Sequence, residues 1–193
     1  MNQFQNISPL DYRYRIPDLE GFLTEEASIK YQIKVEIALV KMLAKFKVCP
    51  RTVHEEVRRE APKVTAAEVY REDKKTKHTV RALVNCIQKR VSRTTRPFVH
   101  LGATSSDIYD TANAMRLRDA TRKVLLADLL KLERQLIALS RKEKNTLQIG
   151  RTHGQHAANI LRFTGGAVRG LARRQKSIAG LGGLLSIALH PLG

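Results

Sequence analysis

Val99-His100-Leu101-Gly102-Ala103-Thr104-Ser105-Ser106-Asp107-Ile108-Tyr109-Asp110-Thr111-Ala112-Asn113 is a polar, glycine-containing stretch that runs straight into a long helical pattern. Gly102 permits the backbone conformations that a tight approach needs. Thr104, Ser105 and Ser106 place hydroxyls and amides where a helix N-terminus points its own unpaired donors, an arrangement suited to an anion. Ser106 or Asp107 acting only as a cap for the following helix accounts for the same spacing, so spacing alone leaves both readings open.

Downstream, the pattern predicts one long helix from about Tyr109 to Lys144. Leu125, Leu129, Leu132, Leu136 and Leu139 alternate steps of four and three, the seam of a helix laid along other helices, and at ~1.5 Å per residue the element spans on the order of 50 Å. Leu126, Leu130 and Ile137 add a second stripe, which favours a multi-helix bundle over a two-stranded coiled coil. Beyond it, Gly165, Gly166, Gly170, Gly180, Gly182 and Gly183 weaken any further helix by about 1 kcal/mol each relative to Ala.

Upstream, residues 1 to 23 read as irregular, with Pro9 and Pro17 limiting helix formation. Thr24 reads as an N-cap, with Glu25 and Glu26 opposing the dipole of a helix that runs towards Pro50. Its faces Ile29/Ile33/Ile37/Val40 and Val35/Leu39/Met42/Phe46 predict burial on two sides. Residues 51 to 75 are highly charged and predict one or two short helices broken around Pro62. Val80, Leu83, Val84, Ile87 and Val91 then mark a helix with His78 at its start.

The chain of 193 residues is long enough for a sizeable core, and 42% hydrophobic residues with only 5% aromatics and no Trp favour aliphatic helix packing over a β-sandwich. The expected class is all-α: a small N-terminal helical domain (1–107) carrying binding loops, then the start of a long-helix bundle (108–193). The formal charge is +17, and it is uneven, with 15 Lys/Arg against 4 Asp/Glu from Asn113 to Gly193. Cys49 and Cys86 have neither CxxC spacing nor a disulfide framework, which fits a reducing, cytoplasmic setting. No apolar run approaches the ~20 residues of a membrane span, and no export signal opens the chain.

Three other segments carry chemistry. Arg13 beside Tyr14 could clamp a phosphate by a forked hydrogen bond and a phenol. His78, beside Lys77, stands at a helix start as either a cap or a site residue. In Gly150-Arg151-Thr152-His153-Gly154-Gln155-His156-Ala157 two histidines stand three apart, but no nearby Cys or carboxylate completes a ligand set, so no metal is expected. Acid–base work by a histidine near neutral pH suits the segment better.

The run HLGATSSDIYDTAN resembles the loop shared by the fumarase/aspartase superfamily, and its TSSDI-x-DTA form is most similar to adenylosuccinate lyases. Thr76-Lys77-His78-Thr79-Val80 resembles their TKHDV segment, with Thr79 replacing the family's Asp. RTHGQHA resembles their RTHGQ-x-A segment, and Arg13-Tyr14 their N-terminal Arg-Tyr. The resemblance covers residues 8 to about 163. It implies His153 as general acid and a substrate site drawn from Arg13, Tyr14, Lys77, His78, Thr79, Thr104 and Ser105. It also implies a homotetramer with sites shared between subunits, and no metal or organic cofactor.

The activity so implied is β-elimination, releasing fumarate from adenylosuccinate to give AMP and from the succinyl-carboxamide ribotide of purine biosynthesis. No run of the type S-S-x-M-P-x-K-x-N-P, which carries the family's basic serine, occurs in these 193 residues. The expectation is therefore an N-terminal fragment without activity alone. The alternative is a non-catalytic basic helical protein that binds nucleic acid or another polyanion through its net charge.

Overall fold

A computed structural model of the chain describes residues 14–143, and the backbone of residues 151, 152, 155 and 156. The architecture is all-α, and the chain divides into two compact units, Met1–Val124 and Leu125–Gly193.

In the first unit, α1 (Pro17–Leu23) begins on the proline expected to prevent it. At the first position of a helix the missing N–H has no intrahelical partner to lose, and the fixed φ suits the helix. Thr24 then caps α2 (Glu25–Lys45) as the sequence predicts, its Oγ1 accepting the Ala27 N–H at 3.2 Å. This helix ends before Pro50, in a turn through Lys47 at φ 60°.

One face of α2 is core as expected, with Ile29, Ile33 and Val40 buried. The second is not the apolar row predicted, since Phe46 is 71% exposed and Met42 also lies open. The other covered side is polar: Ser28, Tyr31 and Gln32 are buried, and the Tyr31 hydroxyl reaches Asp119.

The charged region folds as α3 (Arg51–Glu60), a 3₁₀ turn Ala61–Lys63 that contains Pro62, and α4 (Ala66–Thr76). Thr65 and Glu68 form a reciprocal capping box at the start of α4. After the two-residue link Lys77–His78 comes α5 (Thr79–Arg90), packed along α4. Lys89–Glu72 and Arg90–Glu68, both at 2.6 Å, stitch the pair at its rim. Val53, Val57, Val69, Leu83, Val84 and Ile87 complete the core that α2 begins.

A second 3₁₀ turn (Arg96–Phe98) leads into the loop quoted above and then α6 (Ser105–Ala120), which packs on α1 and α2. The long helix therefore starts four residues before Tyr109, at the point where Thr104 and Asp107 can close its first turn. It passes through a π-helical turn, Thr121–Leu125, at the division between the units.

The second unit contains α7 (Leu126–Lys142), and Leu129, Leu132 and Leu139 on its seam are exposed. It also contains an antiparallel pair of two-residue strands, β1 (Arg151–Thr152) and β2 (Gln155–His156), in register Arg151↔His156. Among the described residues no helix is long and apolar enough to cross a membrane.

Candidate functional site

The link between α4 and α5 is built by backbone geometry. Lys77 closes α4 in the left-handed region (φ 53°), its N–H donating to the Asp73 carbonyl at 2.7 Å. His78 follows in extended conformation as the N-cap of α5, and its Nδ1 accepts the Arg81 N–H at 3.3 Å. An imidazole nitrogen that accepts carries no proton, so this contact places the neutral ring's proton on Nε2. Nε2 stands 3.2 Å from Ser105 Oγ, and with the proton there the ring is the donor. The cap reading of His78 thus holds on Nδ1, while Nε2 is turned to Ser105 of the next motif.

Ser105 is the first residue of α6, so its hydroxyl sits beside the first-turn amides, whose partial positive charge favours an anion. Thr104 is committed differently: its N–H (2.8 Å) and Oγ1 (3.1 Å) both donate to Asp107 Oδ2. Those two hydrogen bonds, backbone first, hold the Asp107 carboxyl below its ordinary range, so it stays ionised as a cap. Thr104 therefore fixes the turn, while Ser105 and the amides behind it are the donors left to a ligand.

The turn is tightened by two left-handed residues, His100 (φ 66°) and Gly102 (φ 78°). Gly102 meets this conformation without cost, whereas His100 needs something to hold it. Its Nδ1 lies 2.6 Å from Glu36 Oε1, a carboxylate fully buried on α2. Burial pushes the Glu36 pKa up, and His100, through its charge, ring and backbone amide, opposes that rise only in part.

Of the residues implied by resemblance, His78 and Ser105 are in contact, with Lys77 and Thr79 flanking His78 and Thr104 preceding Ser105. His78 and Lys77 are exposed, Thr79 and Ser105 half-buried. Tyr14 stands just ahead of α1, 66% exposed. Arg13 and His153 lie outside the described residues, although the strand pair β1–β2 flanks His153 in sequence. Glu36 and the role of His100 were not read from the sequence. The available signal was a lone carboxylate on the Ile29/Ile33/Val40 stripe of an otherwise apolar helix face. Among the described residues, no three His, Cys, Asp or Glu side chains are grouped to hold a metal ion.

The model of the lyase family matches residues 13–165. The chain belongs to that family. Among curated relatives it is 35% identical over 154 residues to the adenylosuccinate lyase of Methanocaldococcus jannaschii, covering 78% of this chain and 33% of that one. To the adenylosuccinate lyase of Archaeoglobus fulgidus it is 36% identical over 151 residues, again covering 78% and 33%. This lyase-family chain thus spans about a third of the length of the curated relatives it matches.

Its fold is similar to that of a fumarate lyase from Mesorhizobium (TM-score 0.75, 20% identity, 86% of this chain and 40% of that one). It is similar also to a β-carboxy-cis,cis-muconate cycloisomerase from Acinetobacter calcoaceticus (TM-score 0.74, 20% identity, 86% and 40%).

Proposed function

We propose that this chain contributes to adenylosuccinate lyase chemistry in the cytoplasm as part of a homo-oligomer. A base removes the Cβ proton of the succinyl group, leaving a carbanion whose charge spreads onto the adjoining carboxylate; its electron pair then forms the C=C bond as Cα–N breaks, and the departing amine takes a proton from an acid. The products are fumarate and AMP, or fumarate and the carboxamide ribotide of purine biosynthesis. No metal or organic cofactor enters these steps.

In this reading His153 is the acid. Ser105 and the amides of α6 receive a substrate carboxylate, while His78 orients it and Thr104 holds the turn. Arg13, Tyr14 and Lys77 meet the phosphate, and Thr79 lines the same corner. Residues 1–107 supply these binding loops, and 108–193 begin the helix bundle. Donors aimed at a carboxylate on which charge accumulates stabilise the carbanion as it forms.

The observation that supports the reading best is the 3.2 Å approach of His78 Nε2 to Ser105 Oγ, which joins two motifs 27 residues apart. Calorimetric titration of the full chain with adenylosuccinate tests it. Binding that weakens by about tenfold or more in Ser105→Ala, the scale of a lost hydrogen bond to a charged group, is the expected result. Absence of binding to adenylosuccinate, AMP and fumarate would overturn it.

A second reading, polyanion binding, is favoured by a groove between α2 and α3 lined by Lys34, Lys41, Arg51, His54 and Arg58 with Glu55 as its one carboxylate. Burial, then the Arg58 and Lys41 charges, lower the His54 pKa, as a positive field does. RNA binding that falls steeply with salt, without nucleotide binding, would select this reading.

A further inference from the structure

Glu36 is 0% exposed on α2, and only one of its oxygens is satisfied: Oε1 meets His100 Nδ1 at 2.6 Å, while Oε2 has no hydrogen-bond partner. A buried, half-satisfied carboxylate destabilises a fold relative to an apolar side chain of similar size. Stability therefore does not account for a carboxylate at this position on the stripe, and its contact does. That contact is with the imidazole, so the carboxylate holds the ring of a single loop residue.

That residue is the non-glycine held at φ 66°, the first bend of the loop that ends in the Thr104–Asp107 cap and Ser105. His100 is also near enough for its charge to lower the Asp107 pKa. Within the loop the Ala103 N–H donates to the His100 carbonyl at 3.5 Å, so the hold from the core of α2 reaches the residue just before the Thr104–Asp107 turn.

We propose that Glu36 is a positioning residue: by clamping His100 it fixes the Val99–Ser105 loop in the conformation that brings Ser105 to His78, and so sets the affinity of that corner for a carboxylate or phosphate. The affinity part rests on the function proposed above; the clamp itself does not.

Two variants of the full chain test it, Glu36→Leu and Glu36→Gln, with hydrogen exchange at the amides of residues 100–106, urea unfolding, and titration with AMP and fumarate. In Glu36→Leu we expect loop exchange to accelerate by about tenfold or more while the urea midpoint holds or rises, because a buried carboxyl with an unpartnered oxygen is gone. In Glu36→Gln the carboxamide oxygen still accepts from His100, and loop protection returns.

Unchanged loop exchange in Glu36→Leu overturns the proposal, as does a fall in loop protection matched by an equal global loss that Gln fails to rescue. If Glu36→Leu does not fold, His100→Asn decides: Asn accepts the left-handed backbone but cannot reach Glu36, so loop exchange must still rise. If the unaltered chain binds neither AMP nor fumarate, the proposed function fails while the exchange measurements still judge the clamp. If it binds them and Glu36→Leu retains full affinity despite a loosened loop, the link from clamp to affinity is overturned.

Discussion

The Tyr31 hydroxyl on α2 donates to Asp119 Oδ2 on α6 at 2.9 Å, across 88 residues of sequence. Burial, then the hydrogen bond to Asp119, pushes the Tyr31 pKa up to about 12. Burial alone would raise Asp119 as well, but the Tyr31 hydroxyl, Arg118 and Lys123 outweigh it and hold the carboxyl below its ordinary range. The bond ties the helix that carries Ser105 to the helix that carries Glu36.

Tyr31→Phe should therefore lower stability by about 1 kcal/mol, the net value of a partly buried hydrogen bond, read as a shift in urea midpoint at constant slope. It should also change the alkaline limb. An unfolded tyrosine ionises near 10 while the folded one keeps its proton to about 12, so stability is lost as pH rises through that interval. The variant should lose less than the unaltered chain between those values; identical slopes would remove Tyr31 as the cause.

At the acid end, Glu56 on α3 accepts from Thr95 Oγ1 (2.6 Å), Ser92 Oγ (2.8 Å) and Ser92 N–H (2.7 Å). Thr95 first, then the Ser92 contacts, overcome burial and hold the Glu56 pKa below 4.5. A carboxyl lowered in the fold adds stability above its unfolded pKa, and that stability is lost as pH falls through the lowered value. Glu56→Gln should flatten the decline of thermal midpoint below pH 4.5 relative to the unaltered chain. An unchanged acid profile would assign the decline to other carboxylates.

Lys77 separates backbone from side chain. Its φ of 53° favours glycine, so Lys77→Gly should raise stability by about 0.5–1 kcal/mol, and under the proposed function, which gives its side chain to the phosphate, nucleotide affinity should fall. A gain in stability with unchanged affinity would confine Lys77 to ending α4.

Much of this was legible because its signals are local. Thr24 before two glutamates, Pro62 inside a charged run, and the helical spacing from Val80 to Ile87 each act within a turn or two. The motif residues were recognised as short words, and His78 meets Ser105 because each stands at the start of its own helix. Non-local effects were hidden. The polar side of α2 is covered only because α6 brings Asp119 to Tyr31, and Glu36 is intelligible only with His100 beside it. Pro17 was misread because the same ring that breaks a helix interior starts a helix well. The π turn at Thr121–Leu125 leaves no mark in the leucine spacing, since one added residue shifts register without interrupting the helix.

The leucine seam of α7 gives the last expectation. Leu129, Leu132 and Leu139 are exposed at 38%, 44% and 45%, a row too apolar to be ordinary surface. Burying each such side chain against another helix is worth about 1.5–3 kcal/mol when complete, so several together favour association. Opposing this is the charge of +17, which repels like copies at low ionic strength. Because salt screens repulsion between exposed charges over about 10 Å at 0.1 M and strengthens apolar burial if anything, raising salt should promote self-association rather than dissolve it. Light scattering of the full chain should give a mass above 21.8 kDa that grows with salt, and Leu129→Asp with Leu132→Asp should return it towards the monomer without loss of helical circular dichroism. A mass that falls with added salt would assign the association to ion pairs, and a monomer at every salt concentration would mean that the seam is not a self-association surface.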